Sequence, residues 1–384
     1  MRSFVVSARL AAVALLALGV ARPALAQGNL STQGYGYPPG ELSGGTMTSG
    51  GAFAEFDAAT PLNPAALSAW RSPGLTLLYN PEFRRVTGPG GTASTTTSRF
   101  PLIAAVLPAG QRYSFGLSAA TLLDRTWRSE ATNIRQVGTR ADTALLAFGS
   151  QGGMSDVRFG GAYHLTERLS VGAGIHAIVG QNRLSIDRTG GDTSLSDVFR
   201  QRSRLDFNGT AYSLGAVWQP VRSFALAASG RLGGAIRASE NDTLLARAHV
   251  PNRYGASVSF DRIAGVSIGA RANFDQWSRL GSLLSGDGST VHDAWDYGFG
   301  ADGTGPHFAG RVMRVRGGVR IRTLPFTAGG EQVHELTYGG GLGVPLARGN
   351  AAFDLGLQRA VRSTSSDAVH ERAYQLTVGL TLRP

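Results

Sequence analysis

Tyr374-Gln375-Leu376-Thr377-Val378-Gly379-Leu380-Thr381-Leu382-Arg383 alternates between two kinds of residue almost without fault. Tyr374, Leu376, Val378, Leu380 and Leu382 share one face, and Gln375, Thr377, Gly379, Thr381 and Arg383 share the other. A two-residue period belongs to a β-strand, whose successive side chains point to opposite sides of the sheet. The same pattern recurs from about residue 73 onward, with no helical segment between strands to cover the apolar faces. An export leader stands at the other end of the chain. Arg2 and Arg9 make a basic start, Ala11 to Val20 is a short apolar run, and Ala24-Leu25-Ala26 is a small-x-small cleavage site. That run is shorter than the roughly 18–20 residues a spanning helix needs. Exported strands with bare apolar faces meet lipid. The sequence therefore predicts an all-β fold, a transmembrane antiparallel β-barrel in the bacterial outer membrane.

Composition agrees. There is no cysteine, which removes disulfides and thiolate metal sites, and the 53 glycines suit a sheet that curves and packs closely around a lumen. Mean hydropathy is near zero at -0.05, as alternation requires. The net charge of +11 falls to +8 without the three arginines of the leader, and the chain has no lysine. No compact basic run or recognition fold accompanies that charge, so no nucleic-acid partner is expected. The arginines are assigned to the lumen or to anionic lipid headgroups.

The chain divides into a cleaved signal peptide, 1–26; an N-terminal segment, 27–72, without strand periodicity; and a barrel, 73–384. Ala52 to Ala59 reads as a short helix, with Pro61 and Asn63-Pro64 as punctuation. This segment is too broken for a strand and too apolar for a free tail, which puts it inside the barrel. Strands are expected around 75–79, 99–107 and 113–118, then as a hairpin of 154–165 and 168–188. Further ones fall near 203–219, 222–238, 248–261, 264–277, 293–300, 309–323, 331–346, 351–362 and 369–383. One more between 131 and 149 brings the number to about fourteen. Tyr79, Trp127, Trp218, Tyr254, Trp277 and Tyr374 are candidates for the interfacial aromatic girdles.

Several segments resemble, in wording and order, the FadL-like transporters of long-chain fatty acids and other hydrophobic compounds. The first is Gly50-Gly51-Ala52-Phe53-Ala54, running on through Asp57-Ala58-Ala59 to Asn63-Pro64-Ala65. The second is Gly160 to Thr166 with Leu169 to Gly174, and the third is Val250-Pro251, Tyr254 to Ser257 and Phe274 to Ser278. The resemblance implies a fourteen-stranded barrel, a lumenal hatch carrying Gly51, Asp57, Asn63, Pro64 and Ala65, and passive passage of a hydrophobic small molecule. It also implies a monomer in contact with outer-membrane lipid, and sideways release beside a kinked third strand. Here the third strand, Phe115 to Asp124, has no glycine after Gly116 where that kink would lie.

Catalytic and metal chemistry find little support. No histidine stands in an HExxH pattern or in a telling spacing from serine or aspartate. His334-Glu335 and His292-Asp293 are neighbours on strands and point opposite ways. The chain is expected to be no enzyme and to hold no metal or cofactor. One charged constellation stands out. On the strand 309–323, Val315, Val319 and Ile321 share a face, and Arg314, Arg316, Arg320 and Arg322 share the other. An arginine facing the bilayer midplane costs about 2–4 kcal/mol, so these four are expected to face the lumen. There they would bind a substrate carboxylate, or pair with acids such as Asp275, Asp354, Glu55 and Asp57 to hold the hatch. The alternative to transport is a PorV-like barrel serving as a scaffold for secretion or surface attachment. An apolar pocket beside the hatch favours transport, and a lumen sealed by polar side chains favours the scaffold.

Overall fold

The computed structural model describes residues 36–88, 91–137, 140–190, 199–284, 290–308, 310–328, 330–346, 350–366 and 370–383. The leader assigned to 1–26 lies outside the described residues, as do 27–35. Sixteen strand segments run in order: β1 Gly74–Gly88, β2 Gly91–Ala109, β3 Tyr113–Asp124, β4 Trp127–Val137, β5 Arg140–Thr166, β6 Leu169–Gly190, β7 Phe199–Val221 and β8 Phe224–Glu240. They continue as β9 Thr243–His249, β10 Arg253–Ile263, β11 Val266–Asp275, β12 Ala294–Phe308, β13 Arg311–Ala328, β14 Glu331–Leu346, β15 Ala351–Ser363 and β16 His370–Leu382. Neighbours pair antiparallel, and β16 closes on β1 with Leu77 opposite Leu380 and Tyr79 opposite Val378. β3 and β4 share one place in the wall, both pairing with β5. β9 and β10 share another, both pairing with β8. The sixteen segments thus make a closed fourteen-stranded barrel.

The alternation sets which way each face points. On β16, Glu371, Ala373, Gln375, Thr377 and Thr381 are buried inside, while Tyr374, Leu380 and Leu382 are exposed. Large apolar side chains are bare all round the outer wall, Phe100 at 69 % and Leu214 at 66 % exposure among them. Such a continuous exposed apolar surface is a lipid-facing wall. Tight turns at 110–112, 167–168, 222–223 and 264–265 mark one end, called here the short-turn end.

Three expectations about the wall need correction. The stretch 131–149 is the tip of a β4–β5 hairpin instead of one strand, and β5 runs unbroken from Arg140. The strand expected at 248–261 is interrupted at Val250–Asn252, where Pro251 has no N–H to give a ladder. Trp277 is no girdle residue. The chain leaves β11 at Asp275 and turns through a 3-10 helix, Trp277–Leu280, which swings the indole inward to 2 % exposure. Trp218, Tyr254 and Tyr374 do lie on the outer face.

Residues 36–72 are packed against the inward-facing side chains of the wall. Their helix is α1, Gly44–Thr48, capped by Ser43 Oγ, which accepts from Thr46 N. The helix expected at 52–59 is instead a run of tight turns, Ala54 N to Gly51 O and Phe56 N to Phe53 O, following two positive-φ glycines, Gly50 and Gly51. A 3-10 helix, Pro64–Ala69, starts where Asn63 Oδ1 accepts from Ala65 N at 3.0 Å, with Pro64 fixing the first turn. Wall glycines let this backbone come close. A Cβ at Gly172 would stand 2.5 Å from Ala65 N and Pro64 C, and one at Gly318 would run into Ser49.

Candidate functional site

The lumen has three zones. The middle one is a layer of buried ion pairs. Glu82 accepts from Arg84 Nε at 2.7 Å, Arg99 Nη1 at 2.7 Å and Arg362 Nη1 at 2.6 Å. Glu335 accepts from Arg322 and Arg362, both at 2.5 Å, and Asp296 takes both Nε and Nη2 of Arg320 at 2.8 Å. Isolated charges here would cost several kcal/mol each, so the layer is tolerable only when each is paired. Tyr37 sits at its centre. Its hydroxyl donates to Glu335 at 3.0 Å and accepts from Arg362 Nη2 at 3.0 Å and from Arg322. Arg84, Arg99, Arg322 and Arg362 stand 4.7–5.7 Å from its ring centroid. Glu41, also in the N-terminal segment, bridges Arg231 at 3.2 Å and Arg253 at 2.8 Å on the opposite wall. Asn63 Nδ2 donates to Ala216 O on β7 at 3.2 Å.

Away from the short-turn end the interior becomes apolar. Leu123, Met154, Ile178, Phe207, Ile236 and Trp277 form one buried cluster with Leu280. They come from β3, β5, β6, β7, β8 and the turn after β11, so six separate elements converge on one compartment. Met154, Ile178, Ile236 and Leu280 are wholly buried, so the compartment is filled by its own side chains.

Beside this compartment the wall is open. Among the described residues, β2 from Thr92 to Pro101 has ladder partners on β1 only, and β4 has partners on β5 only. A cavity of about 410 Å³ occupies the gap, lined by Ser98, Arg99, Phe100, Thr121, Asp124 and Gly153 with Met154 at its inner side. The third strand therefore breaks without the missing glycine. Asp124 Oδ1 accepts from Thr126 N at 3.0 Å, a local side-chain turn that competes with the ladder. The glycines are on the partner strand, where Gly153 lets β5 come against Leu123 and Gly152 takes φ of 125°. Tyr37 pairs its backbone with Asp124 in both directions, at 2.6 and 2.9 Å, so the N-terminal segment is bonded to the break itself.

The four arginines of β13 separate into two groups. Val315, Val319 and Ile321 face out, and the arginines face in, as the alternation predicts. Arg320 and Arg322 bond to Asp296, Glu335, Pro39 O and Pro38 O, beside a cavity of about 20 Å³. That volume admits a water and no substrate. Arg314 pairs with Asp302 at 2.8 Å, and Arg316 pairs with Asp302 at 3.0 Å and with Asp354. These two line a vestibule of about 470 Å³ on the side of α1 where Trp70 and Arg383 also lie. Of the N-terminal residues singled out in the sequence, Asp57 lines the same vestibule and accepts from the hydroxyls of Ser43 and Thr60, and Gly51 supplies a positive-φ turn. Ala65 is fully buried under β6.

Sequence reasoning missed Tyr37 and Glu41, which lack a motif, and the chain of hydrogen bonds Asp156–His176–Ser213. Asp156 Oδ1 lies 2.7 Å from His176 Nδ1, and His176 Nε2 lies 2.8 Å from Ser213 Oγ. The spacings of 20 and 37 residues gave no signal because only the register of β5, β6 and β7 brings them together.

Comparison with solved structures matches the whole wall. A Pseudomonas aeruginosa FadL homologue superposes with a TM-score of 0.62 over 91% of this chain and 99% of its own, at 13% identity. The chain has the fold of the FadL-like transporters. The Ralstonia pickettii toluene transporter TbuX matches with a TM-score of 0.53 at 16% identity, over 91% of this chain and 99% of its own. The CymD monoaromatic hydrocarbon channel gives 0.54 at 15% identity, over 89% and 97%. No protein-family pattern and no curated protein sequence matches.

Proposed function

We propose that this chain is a passive transporter of hydrophobic small molecules in the bacterial outer membrane, with residues 27–72 acting as a hatch in its lumen. The observation that carries the reading is the apolar compartment of Leu123, Met154, Ile178, Phe207, Ile236 and Trp277, which adjoins both a gap in the wall and the N-terminal segment. A guest that enters must displace these side chains, at about 1–3 kcal/mol, and the apolar surface it buries, worth about 25 cal/mol per Å², offsets that cost. A sugar would lose its hydration there without gaining hydrogen bonds. The path then leads through the gap between β2 and β4 or, once the hatch shifts, past the ion-pair layer to the vestibule at Arg314 and Arg316. The compartment suits neutral hydrocarbons and the chains of fatty acids alike; a carboxylate head would pass Arg125 over Phe207 and Arg99 at the gap, the latter already paired with Glu82 and Asp124, before reaching Arg314 and Arg316 in the vestibule. Arg320 and Arg322 then serve to hold the hatch. The ion-pair layer seals the middle of the lumen with polar side chains, as a PorV-like scaffold also would; the gap in the wall beside the apolar compartment is what favours transport.

Trp277 offers the test. Binding of an alkane or toluene should change the fluorescence of the purified protein, and Trp277→Phe should remove that change while the other four tryptophans stay. Saturable binding of toluene with an unaltered Trp277 signal would place the site elsewhere and sink this reading.

A further inference from the structure

The chain Asp156–His176–Ser213 has no part in the transport path described above. All three side chains are buried, on the inner faces of β5, β6 and β7. Carboxylate to Nδ1 at 2.7 Å and Nε2 to hydroxyl at 2.8 Å is the connectivity by which a serine is made nucleophilic. Asp156 is further fixed by Arg231, whose Nη1 donates to Oδ2 at 2.7 Å. A histidine that merely bridges two polar groups would explain these bonds. It would not explain Arg158, directly opposite His176 in the β5–β6 register. That side chain is 1 % exposed, and its Nε and Nη1 have no hydrogen-bond partner among the described residues. The carboxylates of Asp156, Glu41 and Glu55 lie around this cation without bonding to Nε or Nη1, which leaves those two donors for a further acceptor. Arg158 and Ser213 flank the same spot. A Cβ on Gly174 would stand 2.7 Å from Ser213 Oγ and 3.4 Å from Arg158 Cδ. Glycine there keeps the hydroxyl open on that side.

We propose that Ser213, His176 and Asp156 form a hydrolytic site for carboxylic esters with apolar acyl chains, with Arg158 stabilising the oxyanion. Ser213 Oγ attacks the ester carbonyl carbon as its proton passes to His176 Nε2. The C–O bond to the alcohol then breaks, and the alcohol leaves with the proton from Nε2. Water, its proton taken in turn by Nε2, cleaves the acyl-serine and returns the hydroxyl. The net reaction is ester plus water to acid plus alcohol. Asp156 orients the imidazole. Ile178 and Ala211, each one inward-facing position beyond His176 and Ser213, begin the apolar compartment, whose side chains an acyl chain would displace. Glu41 closes over Arg231, and Leu67 lies against Gly160 beside Arg158. Access therefore rests on movement of the N-terminal segment, as in the proposed function.

The full-length protein in detergent should be treated with a fluorophosphonate and, separately, with p-nitrophenyl butyrate. A covalent adduct mapped to Ser213, and nitrophenol release lost in Ser213→Ala, is the expected result. Asp156→Asn should slow labelling by about 10³–10⁴-fold and shift its pH dependence, which a purely structural aspartate would leave alone. Ser213→Ala should still take up hydrophobic tracers. No adduct on Ser213, or equal ester hydrolysis in wild type and Ser213→Ala, overturns the proposal. If uptake persists in that case, only the hydrolytic site fails; if uptake is absent too, the movable hatch fails with it.

Discussion

Tyr37→Phe removes one oxygen from the centre of the ion-pair layer and nothing else. That hydroxyl makes three hydrogen bonds to charged partners, to Glu335, Arg362 and Arg322. The ring and its four surrounding guanidinium groups remain. Hydrogen bonds to charged groups contribute about 1.5–3 kcal/mol each in net terms, and the arginines can partly re-pair with Glu82 and Glu335. A net loss of about 2–3 kcal/mol for the seated N-terminal segment follows, which raises its unseated fraction roughly 30- to 150-fold. Tyr37→Ala also forfeits the cation–π contacts, worth about a further 2 kcal/mol when desolvated. The wall ladders do not involve the side chain, so the barrel should stay assembled. Ion conductance across planar bilayers reads the unseated fraction directly. Both variants should open the lumen more often than wild type, with alanine the stronger. Conductance equal to wild type in both would mean that Tyr37 does not hold the segment, and the latch argument would be wrong.

Gly172→Leu places a branched side chain where even a Cβ stands 2.5 Å from backbone atoms of Pro64 and Ala65. Residues 63–66 must shift, so protease cleavage within the N-terminal segment should rise while β5, β6 and β7 stay protected. Unchanged cleavage would place the 3-10 helix elsewhere. Arg316→Gln should weaken fatty-acid binding about tenfold and leave alkane binding unaltered, whereas Arg320→Gln, with no room for a ligand beside it, should alter neither and should raise conductance. Equal loss of both ligands with Arg316→Gln would assign that residue to holding the hatch instead.

The wall was legible because lipid leaves no other choice. A strand such as Tyr374 to Arg383 must turn one face to the bilayer, and the two-residue period states which face that is. The inward pointing of Arg314 to Arg322 follows from the same rule, since a one-residue slip would put every arginine in lipid. What fills the lumen was far less legible. Tyr37 has no motif, and its partners lie up to 325 residues away, so only the closed register of β13, β15 and β1 brings them together. The break after Asp124 has no nearby glycine on the third strand to signal it. The flexibility lies across the ladder, at Gly152 and Gly153, and the stop itself is an aspartate turn. Trp277 was misplaced for a related reason. An aromatic near a strand end suits a girdle equally well, until the direction of the following turn is known.

The central claim is that apolar molecules pass this barrel and polar ones of similar size do not. Uptake into vesicles carrying the purified protein should be compared for a long-chain fatty acid or toluene and for a small sugar. The account predicts protein-dependent uptake of the apolar tracer with sugar flux at the level of empty vesicles. Rapid sugar entry would make the chain an open pore, and no gain in apolar uptake over empty vesicles would leave it a scaffold.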